Sequence, residues 1–302
     1  MRVLVTGSNG FIGRHLSVEL ADHGHDVVGV DHGDGDLTRP DAARMLLAQH
    51  TPDVVIHLAA QVGRVFGDDD PEHTIQSNAL MTLRVAQACS AANARMVYAS
   101  TSEVYGDQGD AICREAGKLG RCNNLYGLSK RWGEEACRLY ATTGLQILRP
   151  SMPYGPGLPA GRGRAAIVNF LYQATTRQRM PVHDGSERSW CWIGDAVRGV
   201  RLVVEKGEVW YPTQGATTPG WGVYNVGRDD DARPMLEVAR IACDLAVANW
   251  DLIDEIAAPP NQTVVKRLST AKLEALGWAP EVDLVDGMAR MLALYERDWA
   301  TR

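Results

Sequence analysis

Thirty residues near the N-terminus, from Arg2 to Asp31, leave this chain few choices of fold. Residues 2–6, RVLVT, are apolar and β-branched and read as a buried strand. GSNGFIG follows, with Gly7, Gly10 and Gly13 at a spacing of three. Ile12, Leu16 and Leu20 then recur at helical spacing, and HDVVGVD (25–31) is a second buried strand that ends in an acid. A strand, a glycine-rich turn, a helix and a strand in this order suit a dinucleotide. The glycines let the backbone turn tightly and approach a pyrophosphate, and the helix N-terminus stabilises its charge. Asn9, Phe11 and Ile12 share that loop with the glycines. Asp31 stands where a carboxylate accepts from both ribose hydroxyls and repels a 2′-phosphate, which favours NAD over NADP. His32 and Arg39 are the cations that act against that preference.

The pattern continues along the chain. Asp36 and Leu37 are expected to reach the adenine from a very short third strand. TPDVVIHLAA (51–60) is a fourth strand, and Leu58, Ala59 and Ala60 at its end allow close cofactor approach. A helix is expected over 77–93 and a fifth strand over 95–100, ending at Ser100. Strands that alternate with helices mean an α/β fold, a Rossmann-type doubly wound parallel sheet with its ligands beyond the carboxyl ends of the strands. The order suggests a cofactor domain over 1–152, rejoined at about 190–227. A smaller C-terminal α/β substrate domain would comprise about 153–189 and 228–302, with AAPPNQT (257–263) as a Pro-rich break.

The fifth strand opens into ASTSEVYG (99–106), a crowd of hydroxyls and one carboxylate on the ligand-binding edge. Some twenty residues later, LYGLSKRWGEEACRLYA (125–141) is helical in pattern and sets Tyr126 four residues before Lys130, on one face. A phenol titrates near 10 and is a poor base unless a cation stabilises its phenolate. Lys130 and a nicotinamide's charge are candidates for that cation, and Thr101 would complete a relay to substrate.

Composition narrows the partners. A net charge of −6, with no basic stripe, gives no footing for nucleic acid. No apolar run approaches a membrane span, and MRVLVTG leaves no room for a signal peptide. The six cysteines form no CxxC pair, and no Cys/His cluster has zinc spacing, so no metal is expected. Reduced thiols and a cytoplasmic location follow as expectations.

TGSNGFIG, Asp31, HLAA, ASTSEVYG, YGLSK, LRPSMPYGPG, GSERSWCWIGDAVRGV, YNVG and LGWAP together resemble the extended short-chain dehydrogenase/reductase family. The resemblance spans nearly the whole chain. It implies a tightly bound NAD and a nucleotide sugar that is oxidised at C4, altered, and commonly reduced again. It implies Tyr126 as base, Lys130 lowering its pKa and binding the nicotinamide ribose, and Thr101 bonded to the sugar. It also implies a homodimer formed through the helices at 77–93 and 125–141. Ser102 and Glu103 point to chemistry at C5. Sugar 4,6-dehydratases usually carry Asp-Glu at these two positions, UDP-glucuronate decarboxylases Ser-Glu, and 4-epimerases small residues. Decarboxylation or epimerisation therefore leads, with 4,6-dehydration or 4-keto reduction behind. A non-catalytic NAD-binding sensor or scaffold is the rival from another class.

The family pattern also gives substrate contacts. Arg64, in a QVGRVFGDDDP segment that resembles GDP-mannose 3,5-epimerases, is placed to meet a carboxylate or a phosphate. Met152 stands where relatives have a diphosphate-binding asparagine, so that recognition is weakened or moved. Arg188 keeps the place of a diphosphate-binding arginine, Arg162 and Arg164 add charge, and Arg267 is expected at the nucleotide. Ser269 replaces a frequent aspartate, and Trp190, Trp192 and Trp221 are expected to wall the substrate side.

Overall fold

The glycine fingerprint folds as strand, turn, helix and strand. In a computed structural model that describes residues 1–183, 185–212, 220–258, 263 and 265–300, β1 (Arg2–Thr6) runs into the turn and α1 (Phe11–Asp22). β2 (Asp26–Val30) returns parallel to β1, with Val3 opposite Val27. α2 (Ala42–His50) leads to β3 (Val54–His57), which pairs with the other side of β1. β3 is the third strand of the sheet, and Asp36–Leu37 form none. Asp36 instead accepts from the amide of Thr38 at 2.9 Å and from its hydroxyl at 2.5 Å. That local turn competes with strand formation in a segment rich in Asp and Gly. Leu37 packs on the core.

Beyond β3 the chain forms α3 (Arg64–Asp69) and α4 (Pro71–Ile75), then a π-helical turn at Gln76–Leu80. α5 (Met81–Ala91) and β4 (Arg95–Ala99) follow. Then come β5 (Ile112–Cys113), α6 (Leu125–Tyr140) and β6 (Leu145–Pro150). The buried face of α6 is built from Gly127, Ser129, Lys130, Gly133, Glu134 and Cys137. Gly133 is required there, because a Cβ would collide with the Tyr98 hydroxyl. The helix thus lies close on β4 and carries its polar groups inward.

The rest of the chain supplies β7 (Pro153–Tyr154), α7 (Ala166–Thr175), β8 (Met180–His183), β9 (Glu187–Ser189) and β10 (Cys191–Trp192). α8 (Ile193–Lys206), β11 (Val223–Val226), β12 (Ala232–Pro234) and α9 (Met235–Leu245) come next. β13 (Ile253–Ile256), β14 (Val265–Leu268), α10 (Ala271–Glu274) and α11 (Leu284–Ala300) complete it. Residues 259–262 of the Pro-rich break lie outside the described residues.

The main sheet has the order β11-β6-β4-β3-β1-β2, and every pairing in it is parallel. Its strands are apolar on both faces because helices cover both. One core cluster joins the sheet to α1 and α8, the other to α2, α5 and α6. The chain leaves β1 toward opposite neighbours, so a crevice opens at the carboxyl ends of β1 and β3. A third cluster gathers Tyr154, Trp190 and the inner faces of α7, α9 and α11. A small sheet of order β12-β9-β14-β5 brings residues from far apart in sequence to the edge of that crevice. Among the described residues no helix is long and apolar enough to cross a membrane.

Candidate active site

The crevice is shaped first by its glycines. Gly7 has φ of 71°, and a Cβ on it would stand 2.8 Å from the Ala59 amide nitrogen. The ends of β1 and β3 can therefore meet only with glycine there. Gly13 is equally constrained, since a Cβ would collide with the Gly7 carbonyl. Gly10 is the N-cap of α1 and offers no side chain, so no capping group covers the first amides of the helix. Asp31 accepts from the amides of Asn9 and His32, both at 2.9 Å, which fixes its carboxylate beside the turn. Phe11, Ile12 and Leu58 pack on the core beneath, and Ala59 donates to the Thr6 hydroxyl at 3.3 Å. An uncapped helix start, a cradle without side chains and a fixed acid on one edge fit a dinucleotide pyrophosphate and ribose.

The candidate proton-handling groups stand just beyond β4 and on the first turns of α6. Asn124 caps α6 by accepting from Gly127 at 2.8 Å, which starts the helix just before Tyr126. Thr101 caps the turn at 102–105 by accepting from Glu103 at 3.2 Å, with Ser102 buried beside it. Tyr126 is half-buried. Desolvation pushes its phenol up to about 12, against a hydrogen bond with Thr101 and with the Glu103 charge adding to the rise. Lys130 is buried, its Nζ lying 4.5 Å over the Tyr98 ring, and desolvation pulls it down to about 7. Lys130 is not among the groups that move the phenol. His57 lies below, its Nδ1 at 2.7 Å from the Thr6 hydroxyl and its ring stacked on Tyr98. Desolvation and then Lys130 hold it near 3, so it stays neutral.

Ser100 turns away from the crevice. Its hydroxyl donates to Glu134 Oε1 at 2.5 Å. Arg149 meets the same carboxylate through Nε (2.9 Å) and Nη2 (2.6 Å), and its guanidinium lies 4.8 Å over Tyr105. The Tyr105 hydroxyl donates to Asn225 at 2.7 Å. This buried network ties β4, α6, β6 and β11 together, and it accounts for Tyr105 as a structural residue.

Glu103 takes part in a second cluster that the sequence did not indicate. Lys266 on β14 pairs with Glu103 Oε1, and Asn124 donates to Oε2 at 3.0 Å. Arg188 on β9 is level with Lys266 in the small sheet. It donates to the carbonyls of Glu187 (2.7 Å) and Thr263 (2.6 Å), and its charge reaches Glu103. Desolvation would raise the Glu103 carboxyl, but Lys266, Asn124 and Arg188 outweigh it and hold the group below its ordinary value. Lys266 is itself lowered by desolvation despite its partner. Among the described residues the cluster sets two cations, Lys266 and Arg188, around the Glu103 carboxylate.

The other substrate residues expected from sequence are placed differently. Arg267 faces away from Lys266 along the strand and pairs with Glu187 at 2.7 and 3.1 Å. Arg64 begins α3 and lies 3.6 Å from Asp68. Arg162 is bound to Asp69, and Arg164 covers Phe66. Met152 adopts a left-handed φ of 43°, and its carbonyl accepts from Cys191 at 3.2 Å. Trp190 and Trp192 pack edge-on against Tyr154 in the third core cluster. Trp221 is at the amino end of β11, bonded to the Val209 carbonyl at 3.2 Å, so it cannot wall a site at the carboxyl edge.

Asn78 was also missed. It lies in the π-helical turn, bridges both backbone groups of Gln61 (2.8 and 2.9 Å), and donates to Ser129 at 3.0 Å. Alternation in VVKRL was the available signal for Lys266, because only one residue of the Lys-Arg pair can face inward. Nothing local signals Asn78.

The NAD dependent epimerase/dehydratase family matches residues 3–227. UDP-glucuronic acid decarboxylase 1 of Arabidopsis thaliana is 28% identical over 97% of this chain and 69% of that protein. Protein CapI of Staphylococcus aureus is 26% identical, covering 98% of both. The solved complex of MoeE5 with UDP-glucuronic acid and NAD superposes with a TM-score of 0.83 at 26% identity, over 99% of this chain and 100% of that one. The NAD complex of Thermus thermophilus UDP-glucose 4-epimerase has the same fold, with a TM-score of 0.83 at 24% identity, over 98% of this chain and 99% of that one.

Proposed function

This chain belongs to the NAD-dependent epimerase/dehydratase family, and from that premise we propose that it decarboxylates a nucleotide uronate through a 4-keto intermediate. The observation that carries the reading is the cluster of Glu103, Lys266 and Arg188 beside Thr101 and Tyr126. The likeness to a UDP-glucuronic acid decarboxylase and to a protein solved with UDP-glucuronic acid supports it.

A dinucleotide held by the Gly7, Gly10 and Gly13 cradle and by Asp31 would supply the hydride acceptor and donor for C4. Tyr126 takes the C4 hydroxyl proton, passed along its contact with Thr101. In this proposal Lys130, one helical turn after Tyr126 on α6, steadies the phenolate once the cofactor is bound; in the resting protein the phenol is set by burial, Thr101 and Glu103. Arg188 and Lys266 orient the carboxylate on C5. The bond from C5 to that carboxylate breaks, carbon dioxide leaves, and the electron pair passes toward the C4 ketone. In this reading the Lys266 ammonium supplies the proton that C5 takes up. Glu103, held ionised by its cations, is a weak base, which disfavours C5 proton abstraction and so argues against epimerisation at C5. Its charge keeps Lys266 protonated.

The test is mass spectrometry of UDP-glucuronate incubated with the protein and NAD in heavy water. Loss of carbon dioxide, with one deuterium at C5 of the pentose product, is expected. Unchanged connectivity with deuterium at C5 would replace decarboxylation by epimerisation. The homodimer expected from the resemblance would use α5, the π-helical turn before it and α6, where Leu80, Trp132 and Leu139 are exposed.

A further inference from the structure

Between β7 and α7, residues 155–165 form neither helix nor strand. Gly155, Gly157, Gly161 and Gly163 in this segment have φ of 155°, 95°, 141° and 72°, values that side chains rarely allow. The path is nevertheless fixed at both ends. At the near end the Pro156 carbonyl is 2.9 Å from His15 Nε2 on α1. Gly157 rests against the Arg14 guanidinium and donates to the Tyr295 hydroxyl of α11. At the far end Arg162 makes two hydrogen bonds to Asp69 on α3, at 2.6 and 3.1 Å. The Arg164 guanidinium lies 5.2 Å over the Phe66 ring, and a Cβ on Gly163 would come within 3.1 Å of that ring. α3 rests in turn on the catalytic helix, since a Cβ on Gly67 would stand 3.4 Å from the Tyr126 amide.

The segment thus runs from the first turns of α1, where the pyrophosphate belongs, to the helix that follows β3. That path crosses the mouth of the crevice between β1 and β3. Its two anchors differ in strength. The near one is tied to α1 and α11 through part-buried bonds. At the far end Asn169 on α7 bonds both backbone groups of Gly161 (2.7 and 3.1 Å), so the link to α3 rests on the Phe66 ring and on an ion pair whose side chains are 72% and 49% exposed, and such pairs contribute little. The far anchor is therefore the end that opens.

We propose that residues 155–164 are a strap across the bound dinucleotide, and that Arg162–Asp69, with Phe66, is the latch that opens before NAD leaves. The inference depends on NAD binding and not on which sugar reaction follows.

The test loads the full chain with etheno-NAD and follows its displacement by excess NAD in stopped flow. Arg162→Ala is expected to raise the dissociation rate about 3-fold. Phe66→Ala, which removes the ring under Arg164 and Gly163, is expected to raise it about 5-fold. The exchange Asp69→Arg with Arg162→Asp restores the pair and returns the rate to within about 2-fold of the parent. Parent rates in both single variants, with circular dichroism unchanged, would overturn the strap alone. No uptake of etheno-NAD by the parent chain would overturn the cofactor assignment and the strap together.

Discussion

Two lysines are buried at this site, and they have opposite surroundings. Lys130 lies under the crevice on an aromatic ring, with no carboxylate among the described residues in ion-pair reach, and burial drives it down to about 7. Lys266 is just as deeply buried, but it is bound to Glu103 and faces the Arg188 charge. Among the described residues the first lysine lacks a paired carboxylate, whereas the second has one in Glu103. A buried cation without a paired anion costs free energy, which the group sheds by releasing its proton or by meeting a bound anion. The contrast separates the proposed proton relay around Tyr126 from the ion-paired cluster around Glu103.

The sharpest break of the comparison is at Tyr126. Tyr126→Phe removes the proton acceptor and leaves the glycine cradle intact. Turnover measured by product mass spectrometry is expected to fall about 10³-fold, with NAD affinity by calorimetry unchanged. Retained turnover would move the base elsewhere.

The cluster is tested next, through stability. Glu103→Gln leaves the Lys266 ammonium, only 3% exposed, without its anion. Urea unfolding is expected to show a loss of about 3 kcal/mol. The double variant with Lys266→Met removes the stranded charge and regains most of it. An unchanged midpoint in the single variant would mean that the two groups are not coupled.

A smaller effect sharpens the other half. The folded value of Lys130, about 7, lies below the lysine value of 10.5, so between the two the unfolded chain binds more protons. Stability of the NAD-free protein is then expected to rise with pH across that window. The slope has a ceiling of about 1.4 kcal/mol per pH unit. The Lys130→Met variant lacks this contribution, and the difference in unfolding free energy between the two proteins from pH 7 to 10 measures it. A flat difference would place Lys130 in a more solvated setting.

The smallest effect concerns the turn between β6 and β7. Met152 holds a left-handed φ of 43° that asparagine adopts more readily. Met152→Asn is expected to raise stability by about 0.5–1 kcal/mol in thermal unfolding, with the relay untouched. A loss would mean that the packing of Met152 on the third core cluster outweighs the backbone strain.

What the chain order could convey followed from how local each signal is. The glycine turn, Asp31, and Tyr126 four residues before Lys130 depend on neighbours within one unit of structure, so spacing alone places them. The third strand was misplaced because DGDLT satisfies its polar groups in a turn, which a search for strands does not detect. Arg162 and Arg164 looked like ligands because their partners, Asp69 and Phe66, are almost a hundred residues away.

By itself the sequence determined the cofactor half: an alternating βαβ pattern with a cradle that only glycine can line, and a Tyr/Lys pair fixed by helical periodicity. Only the tertiary structure decided what faces Glu103. β14 pairs with β5 and β9, and that register turns Lys266 inward beside Arg188 and Arg267 outward to Glu187. Side chains alternate along a strand, so a shift of one residue reverses the face, and no local pattern specifies which partner strand sets the register.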